Sequence, residues 1–586
     1  MTPGSSTGTW GKNGTLEERN NEMIEVNLGT HKGAVDAALK RMAAQRVIPR
    51  IWEQDHTVWK PQPGEITNRL GWLRAAEASK GDVDRLTGLA GALRRAGYRR
   101  AVLLGMGGSS LAPEMFSETF GAAPDHLEVS VIDSTDPDFI LSVAEELDYS
   151  KTVFIVSTKS GGTVETLSFF KYFYNRTAEA VGAESAGEHF LAITDPGSKL
   201  ADLARRYGFR DTFLNDPDIG GRYSALSYFG LVPAALLGID LTRLLDRATR
   251  AACGCGDPHC ASREGGRGKG AGAVDPCALL GAVLGALATG ESEGLRRDKL
   301  TIFTSPGLES FGDWVEQLIA ESTGKEGKGI VPVIGEPPGA PEVYGRDRLF
   351  VHLRLKGAGG PEKELRALEQ AGHPVVRVDL EDIYDIGFQL FLWEMATAVA
   401  GALLAINPFD QPNVESAKVR AREMMSAYAE SGELPEDRAE PPRADVLEEF
   451  LSEIREGDYV SMQAYVKPAE AATRALQRLR ARIRDRYRVA TTVGYGPRFL
   501  HSTGQLHKGD NGAGLFLQLT NTPDRDAPIP ETAGEKESTA SFGVLKMAQA
   551  LGDKQALQDN RRRVIRMELG TDVAAELEGL LGDFGK

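Results

Sequence analysis

The chain has 586 residues, of which 41% are hydrophobic and 26% charged, and its net charge is −15. That length leaves room for several domains with full cores, while the acidic balance argues against nucleic acid as a partner. No apolar run reaches the about 18 residues that a membrane span needs, so no membrane partner is expected either.

Residues 1–14 are rich in Gly, Ser and Thr, without the apolar centre of a signal peptide, and read as a flexible tail. Residues 15–98 repeat Leu, Ala and Val at helical spacing and read as a helical N-terminal segment. From Arg99 the period changes. Strands are expected at Ala101–Leu104, Leu127–Ile132, Thr152–Val156 and Phe190–Thr194, each followed by a polar loop and a helix, so 99–250 forms a first α/β unit. The stretch 251–275 holds Cys253, Cys255 and Cys260 beside His259, with Cys277 just beyond. Its C-x-C-x4-C spacing matches no common zinc finger, and its glycines read as a surface loop, so no metal is expected. Four cysteines in so long a chain do not make a disulfide framework, and a reducing, cytoplasmic setting fits.

A second α/β unit spans 276–432, with strands at Leu300–Phe303, Ile330–Ile334, Leu349–Leu353 and Val375–Val378 and long helices over Ile383–Leu404 and Gln411–Ala429. Residues 433–443 read as a linker. Residues 445–586 read as a C-terminal α/β extension, with strands at Tyr459–Tyr465 and Val489–Val493 around a helix over Ala469–Arg486. Strands alternating with helices imply parallel sheets, in which ligands sit at the carboxyl ends of the strands.

The segment Val153–Thr166 carries the clearest chemistry. An apolar strand runs into Ser157-Thr-Lys-Ser-Gly-Gly-Thr163 and then a helix. Hydroxyls, the Lys159 charge, glycines that admit close backbone approach and a helix N-terminus together suit a phosphate. The spacing is neither a Walker A loop nor a dinucleotide fingerprint. Farther on, Gly220-Gly-Arg222 sets a guanidinium beside two glycines, suited to a phosphate or a developing oxyanion. Gln411 and Lys418 are seven apart and would share a face on one helix.

Together these segments resemble the glucose-6-phosphate isomerase family. Gly105-Met-Gly-Gly-Ser-Ser110 resembles its first substrate loop, Ser157–Thr166 its phosphate loop, and Gly220–Ser224 its arginine signature. Glu321-Ser-Thr-Gly-Lys325, Gly335-Glu-Pro337 and Phe409–Lys418 are similar to three further signatures, in the family's order. With Thr67–Trp72 and Gly494–Gly509 included, the chain looks closest to the isomerase half of transaldolase/glucose-6-phosphate isomerase fusion proteins, although no transaldolase half is recognisable.

The resemblance implies an α/β fold of doubly wound parallel sheets, in two sugar-isomerase sub-domains (SIS domains), with the helical N-terminal segment and the C-terminal extension added. It implies reversible aldose–ketose isomerisation of glucose 6-phosphate and fructose 6-phosphate by an enediolate mechanism, in glycolysis and gluconeogenesis, without metal or cofactor. Thr158, Lys159, Ser160 and Thr163 would hold the phosphate, with Gly108 and Ser109 nearby and Gln411 positioning the sugar. Glu336 would be the base, Arg222 would stabilise the enediolate and Lys418 would assist ring opening. The sequence after Glu336, Pro337-Pro-Gly-Ala-Pro-Glu342, departs from the family pattern, so Glu321 and Glu342 stay rivals for the base. The ring-opening histidine has candidates in His507, His501 and His373. The family's habit of pairing implies a homodimer. The alternative reading is a non-catalytic sugar-phosphate-binding regulator, or a partner subunit of a transaldolase.

Overall fold

The computed structural model describes residues 23–262, 275–290 and 294–585. The expected tail 1–14 and residues 263–274 of the Gly/Cys-rich stretch lie outside the described residues. Three sheets, parallel but for one edge strand, organise the rest. The first holds β2 (Arg100–Gly105), β3 (Glu128–Ile132), β4 (Thr152–Ser157), β5 (Phe190–Thr194) and β6 (Asp211–Leu214), in the order β3-β2-β4-β5-β6. Along β2, Ala101 and Leu103 join one hydrophobic core while Val102 and Leu104 join another. Helices therefore cover both faces of this sheet, which is why its inner strands are continuous apolar runs.

The second sheet has the order β1-β10-β9-β7-β8, from β7 (Lys299–Thr304), β8 (Val331–Ile334), β9 (Arg348–Leu355) and β10 (Val375–Leu380). Its edge corrects the all-helical reading of 15–98. β1 (Ile24–Asn27) pairs antiparallel with β10, Ile24 opposite Val378. Helix Ile386–Leu404 runs beneath as a buried core element. The segment Ile383–Leu404 is long and apolar enough to cross a membrane, but 89% of its apolar window is buried inside the fold.

The C-terminal unit is α/β, as expected, with the order β12-β11-β13-β16. β11 (Tyr459–Tyr465) and β12 (Ala490–Tyr495) fall where the sequence placed them. β13 (Gly514–Asn521) and β16 (Arg563–Leu569) complete the parallel sheet, and β14 (Pro528–Ile529) pairs with β15 (Ala540–Ser541) in a small hairpin. The unit is bolted to the first one by charge. Lys546 Nζ lies 2.9 Å from Asp136 Oδ2, both buried, and the Arg498 guanidinium grips both carboxylate oxygens of Glu114. These pairs direct the carboxyl edge of the third sheet at the first.

The cysteines overturn the expectation of free thiols. Cys253 pairs with Cys260, and Cys255 with Cys277. Two-residue spacing at the end of helix Leu241–Gly254 sends Cys253 and Cys255 to opposite sides, so each meets a different partner. Cys255 thereby fastens that helix to the start of helix Pro276–Thr289. The cysteine argument for a reducing compartment falls with this pairing. Purified without reductant, the chain is expected to show no thiol that reacts under denaturing conditions until it is reduced; free thiols at that stage would contradict the pairing.

Candidate functional site

The loop after β4 turns into helix Val164–Val181 with Thr163 as its N-cap residue. The Thr163 side chain makes no capping bond, so the first amides of the helix keep their donors for an outside acceptor. Thr158 and Thr163 hydroxyls meet at 2.9 Å. Gly161, at φ +70°, packs where a methyl group would lie 2.4 Å from the Leu200 nitrogen, so only glycine fits the turn. A cavity of about 240 Å3 opens on this helix end. Ser160, Gly162 and Thr163 line one side of it, and Lys418, His501 and Lys508 line the others.

Lys418 makes no hydrogen bond or ion pair with the described residues, so its ammonium is free to meet a ligand. His501 arrives from the C-terminal unit, on the turn Arg498–His501 that follows β12. Its Nε2 lies 2.9 Å from Glu165 Oε1. Burial raises the Glu165 pKa, but the charge and hydrogen bond of His501, with smaller help from a backbone hydrogen bond and the Lys418 charge, outweigh it, and the net shift is downward. Gly107 keeps the turn close, because a methyl group there, at φ +56°, would lie 2.7 Å from the His501 carbonyl oxygen.

Behind the cavity lies a second group. Arg222 donates from Nε to Ser322 Oγ at 2.9 Å, from Nη1 to Gln411 Oε1 at 3.1 Å, and from Nη2 to the Pro408 and Asp410 carbonyls. Its Nη1 also lies 3.3 Å from Glu321 Oε1. Gln317 Nε2 donates both to Glu321 Oε2 and to the His501 carbonyl. One amide thus ties the Glu321 carboxylate to the histidine turn. Gly108 sits on the Gly221 carbonyl, and Ser109 is buried in the same turn, so the first glycine loop abuts the arginine signature. An anion cradle, a free ammonium, a carboxylate–imidazole pair and an arginine-held carboxylate can together bind a phosphate and move protons beside it.

Several expected residues stand elsewhere. Glu336 is closed to solvent, with Arg348 bidentate at 3.2 and 3.1 Å and Thr491 Oγ1 at 3.1 Å. Arg480 caps the neighbouring Ile334 carbonyl and Arg484 the Pro337 carbonyl. Burial raises the Glu336 pKa, yet the Arg348 and Arg480 charges bring it below the ordinary carboxylate value. Glu336 thus joins units instead of facing a ligand. Glu342 is exposed on the turn Pro341–Val343 and does not line the cavity.

His507 is buried between Phe499 and Phe516, and burial drives its pKa well below the usual histidine value. His373 packs on Phe350 and Tyr344, with its pKa lowered to about 4 by burial first. Lys159 is bound to Asp195 and the Pro217 carbonyl and does not line the cavity. Gln411 and Lys418 do not share a helix, because that helix starts at Val414. Gln411 instead faces Arg222 from the preceding loop. Lys508 belongs to the donor cluster of the C-terminal motif, whose polar residues read as a site edge, whereas nothing in the sequence singles out Gln549, and the only local signal for Glu165 is its place in the first turn of the phosphate-loop helix.

The sequence profile of the family described as Phosphoglucose isomerase matches residues 91–251. The chain is 28% identical over 435 residues to the glucose-6-phosphate isomerase of Rubrobacter xylanophilus, covering 66% of itself and 94% of the relative. It is 30% identical over 384 residues to that of Carboxydothermus hydrogenoformans, covering 55% of itself and 77% of the relative. Among solved structures, a hypothetical protein of Thermus thermophilus superposes with a TM-score of 0.55 at 25% identity, over 68% of this chain and 99% of that one. A glucose-6-phosphate isomerase of Chlamydia trachomatis shares the fold, with a TM-score of 0.54 at 20% identity, over 68% of this chain and 86% of that one.

The anchor of the histidine turn is pH-sensitive. Burial raises Asp133 from 3.8 to about 6, Asp313 from 3.8 to about 7 and Glu316 from 4.5 to about 8, around the Arg498 charge. The folded chain holds protons there that the unfolded chain has released. Their stabilisation is complete below the unfolded values and is lost as pH rises through the folded ones. Melting temperature is expected to fall between about pH 5 and pH 9, and the fall to be shallower in Glu316→Gln. Parallel curves for the two proteins would contradict this.

Proposed function

The chain belongs to the glucose-6-phosphate isomerase family, and from that premise we propose that it interconverts glucose 6-phosphate and fructose 6-phosphate through an enediolate. The observation that carries the reading is the cavity in which the His501–Glu165 pair and a free Lys418 face the phosphate loop. The substrate phosphate binds the amides at the start of helix Val164–Val181 and the hydroxyls of Ser160 and Thr163. Lys418 adds charge beside it. His501, oriented by Glu165, moves the proton between ring oxygen and anomeric hydroxyl as the sugar ring opens.

Glu321 then carries the proton between carbon 2 and carbon 1. It replaces Glu336 as the assigned base because its carboxylate keeps a partly open face while Arg222 and Gln317 aim it. Arg222 has its donors committed to the protein. It acts as a fixed positive charge near the developing enediolate, with no reorganisation needed at the moment of reaction.

Two variants separate the glutamates, measured by fructose 6-phosphate turnover coupled to a glucose-6-phosphate dehydrogenase. Glu321→Gln is expected to lose turnover by about 10²–10⁴ while still folded, with a smaller stability loss than Glu336→Gln because Arg222 keeps its bonds to Ser322, Gln411 and two carbonyls. Glu336→Gln is expected to lose roughly 3–5 kcal/mol of stability, since it strands buried arginines, yet to turn over while folded. An inactive Glu336→Gln with wild-type stability would return the base to Glu336. Fructose 6-phosphate binding without wild-type turnover would replace the isomerase reading by that of a binding protein.

A further inference from the structure

We infer that Gln549, on the C-terminal helix Phe542–Asp559, is a positioning residue that holds Glu165, and through it His501, in working geometry. Gln549 Nε2 donates to Glu165 Oε1 at 2.6 Å, the same oxygen that His501 Nε2 meets at 2.9 Å. The hydroxyl of Thr135 donates to Gln549 Oε1 at 2.8 Å. A carboxylate only accepts, so the Gln549 amide nitrogen must face Glu165, and Thr135 secures that orientation from behind. Thr135, Gln549 and Glu165 are all buried. The chain of bonds alternates between units: Thr135 follows β3, Gln549 is C-terminal, Glu165 starts the phosphate-loop helix, and His501 is C-terminal again.

The helix that carries Gln549 is held on both sides of it. Lys546, three residues earlier, pairs with Asp136, and Asp553, four residues later, lies 2.5 Å from Lys508 Nζ. The same helix touches the one bearing Lys418, where a methyl group on Gly552 would lie 2.7 Å from the Ala421 nitrogen. Gln549 thus stands on an element braced against Lys508 and against the helix that carries Lys418, and its bond to a charged acceptor is of the strong class. The charged and titratable groups facing the Glu165–His501 pair are Lys418, the Lys508–Asp553 pair, the Glu415–Arg422 pair across the cavity, Asp133 and Tyr465. None of them donates a hydrogen bond to Glu165 among the described residues. With the Gln549 donor removed, Glu165 would lean on His501 alone and His501 would hold its proton more tightly.

This inference rests on the isomerase reading for its kinetics, but not for its titration. Gln549→Leu is expected to lower kcat for fructose 6-phosphate about tenfold, with the acidic limb of the pH profile moved to higher pH. In a His501→Asn background the same change is expected to cost nothing further, since the positioned group is gone. Thr135→Val, a milder cut at the far end of the chain, is expected to act in the same direction and serves if Gln549→Leu does not fold. An equal loss in both backgrounds, or an unmoved pH profile, would overturn the inference and leave the isomerase assignment standing. Should wild type show no turnover, the isomerase reading fails, and the His501 imidazole titration followed by NMR decides for Gln549. An upward move in Gln549→Leu supports the positioning role, and an unchanged titration overturns it.

Discussion

A carboxylate sealed from water between two units sets the terms for this molecule. Glu336, at the end of the second sheet, accepts from Arg348 on that sheet and lies within the field of Arg480 and Arg484 from the C-terminal unit. Buried arginines without this partner would be severely destabilising, and the carboxylate alone equally so. The pairing therefore makes the docking of the C-terminal unit close to obligatory. Arg498 on Glu114 and Lys546 on Asp136 repeat the device against the first unit. With the Glu336 cluster and the Lys546–Asp136 pair buried and the Arg498–Glu114 pair half-buried, the third sheet has little freedom to move relative to the other two.

The consequences for the cavity follow directly. Its floor is a helix N-terminus of the first unit, Lys418 comes from the end of the second, and His501, Lys508 and Gln549 come from the third. Proton transfer is sensitive to small displacements, so a site assembled from three units needs rigid seams. The acidic residues around Arg498 are the weaker part of this scheme. Asp313 and Glu316 are pushed up by desolvation and by neighbouring carboxylates, so the seam that carries the histidine turn depends on pH, whereas the arginine charges hold the Glu336 carboxyl below its ordinary value.

The parts legible in the sequence are those whose physics is local. Buried parallel strands are apolar runs closed by polar loops, and β4 with its loop could be read almost to the residue. Two exposed edge strands could not: three of the four residues of β1 are exposed, and β6 has one buried position. β13 escaped because buried Gln518 and Thr520 interrupt its apolar run. The same distinction governs the site. The phosphate loop needs only contiguous residues, whereas the fate of Glu336 depends on arginines far along the chain that close over it. His501 and His507 share one donor-rich motif, and only the packing of Phe499 and Phe516 around His507 decides which ring is free to act. The cysteine pairing likewise depends on where two helix ends meet.

The most direct test of this account is the coupled turnover of fructose 6-phosphate by His501→Asn, with its melting temperature measured alongside. A loss of about 10²–10⁴ in turnover with the melting temperature held is predicted, because the imidazole that moves the ring proton would be gone while the seams stay intact. Wild-type turnover in that variant would contradict the claim that the C-terminal unit completes the active site.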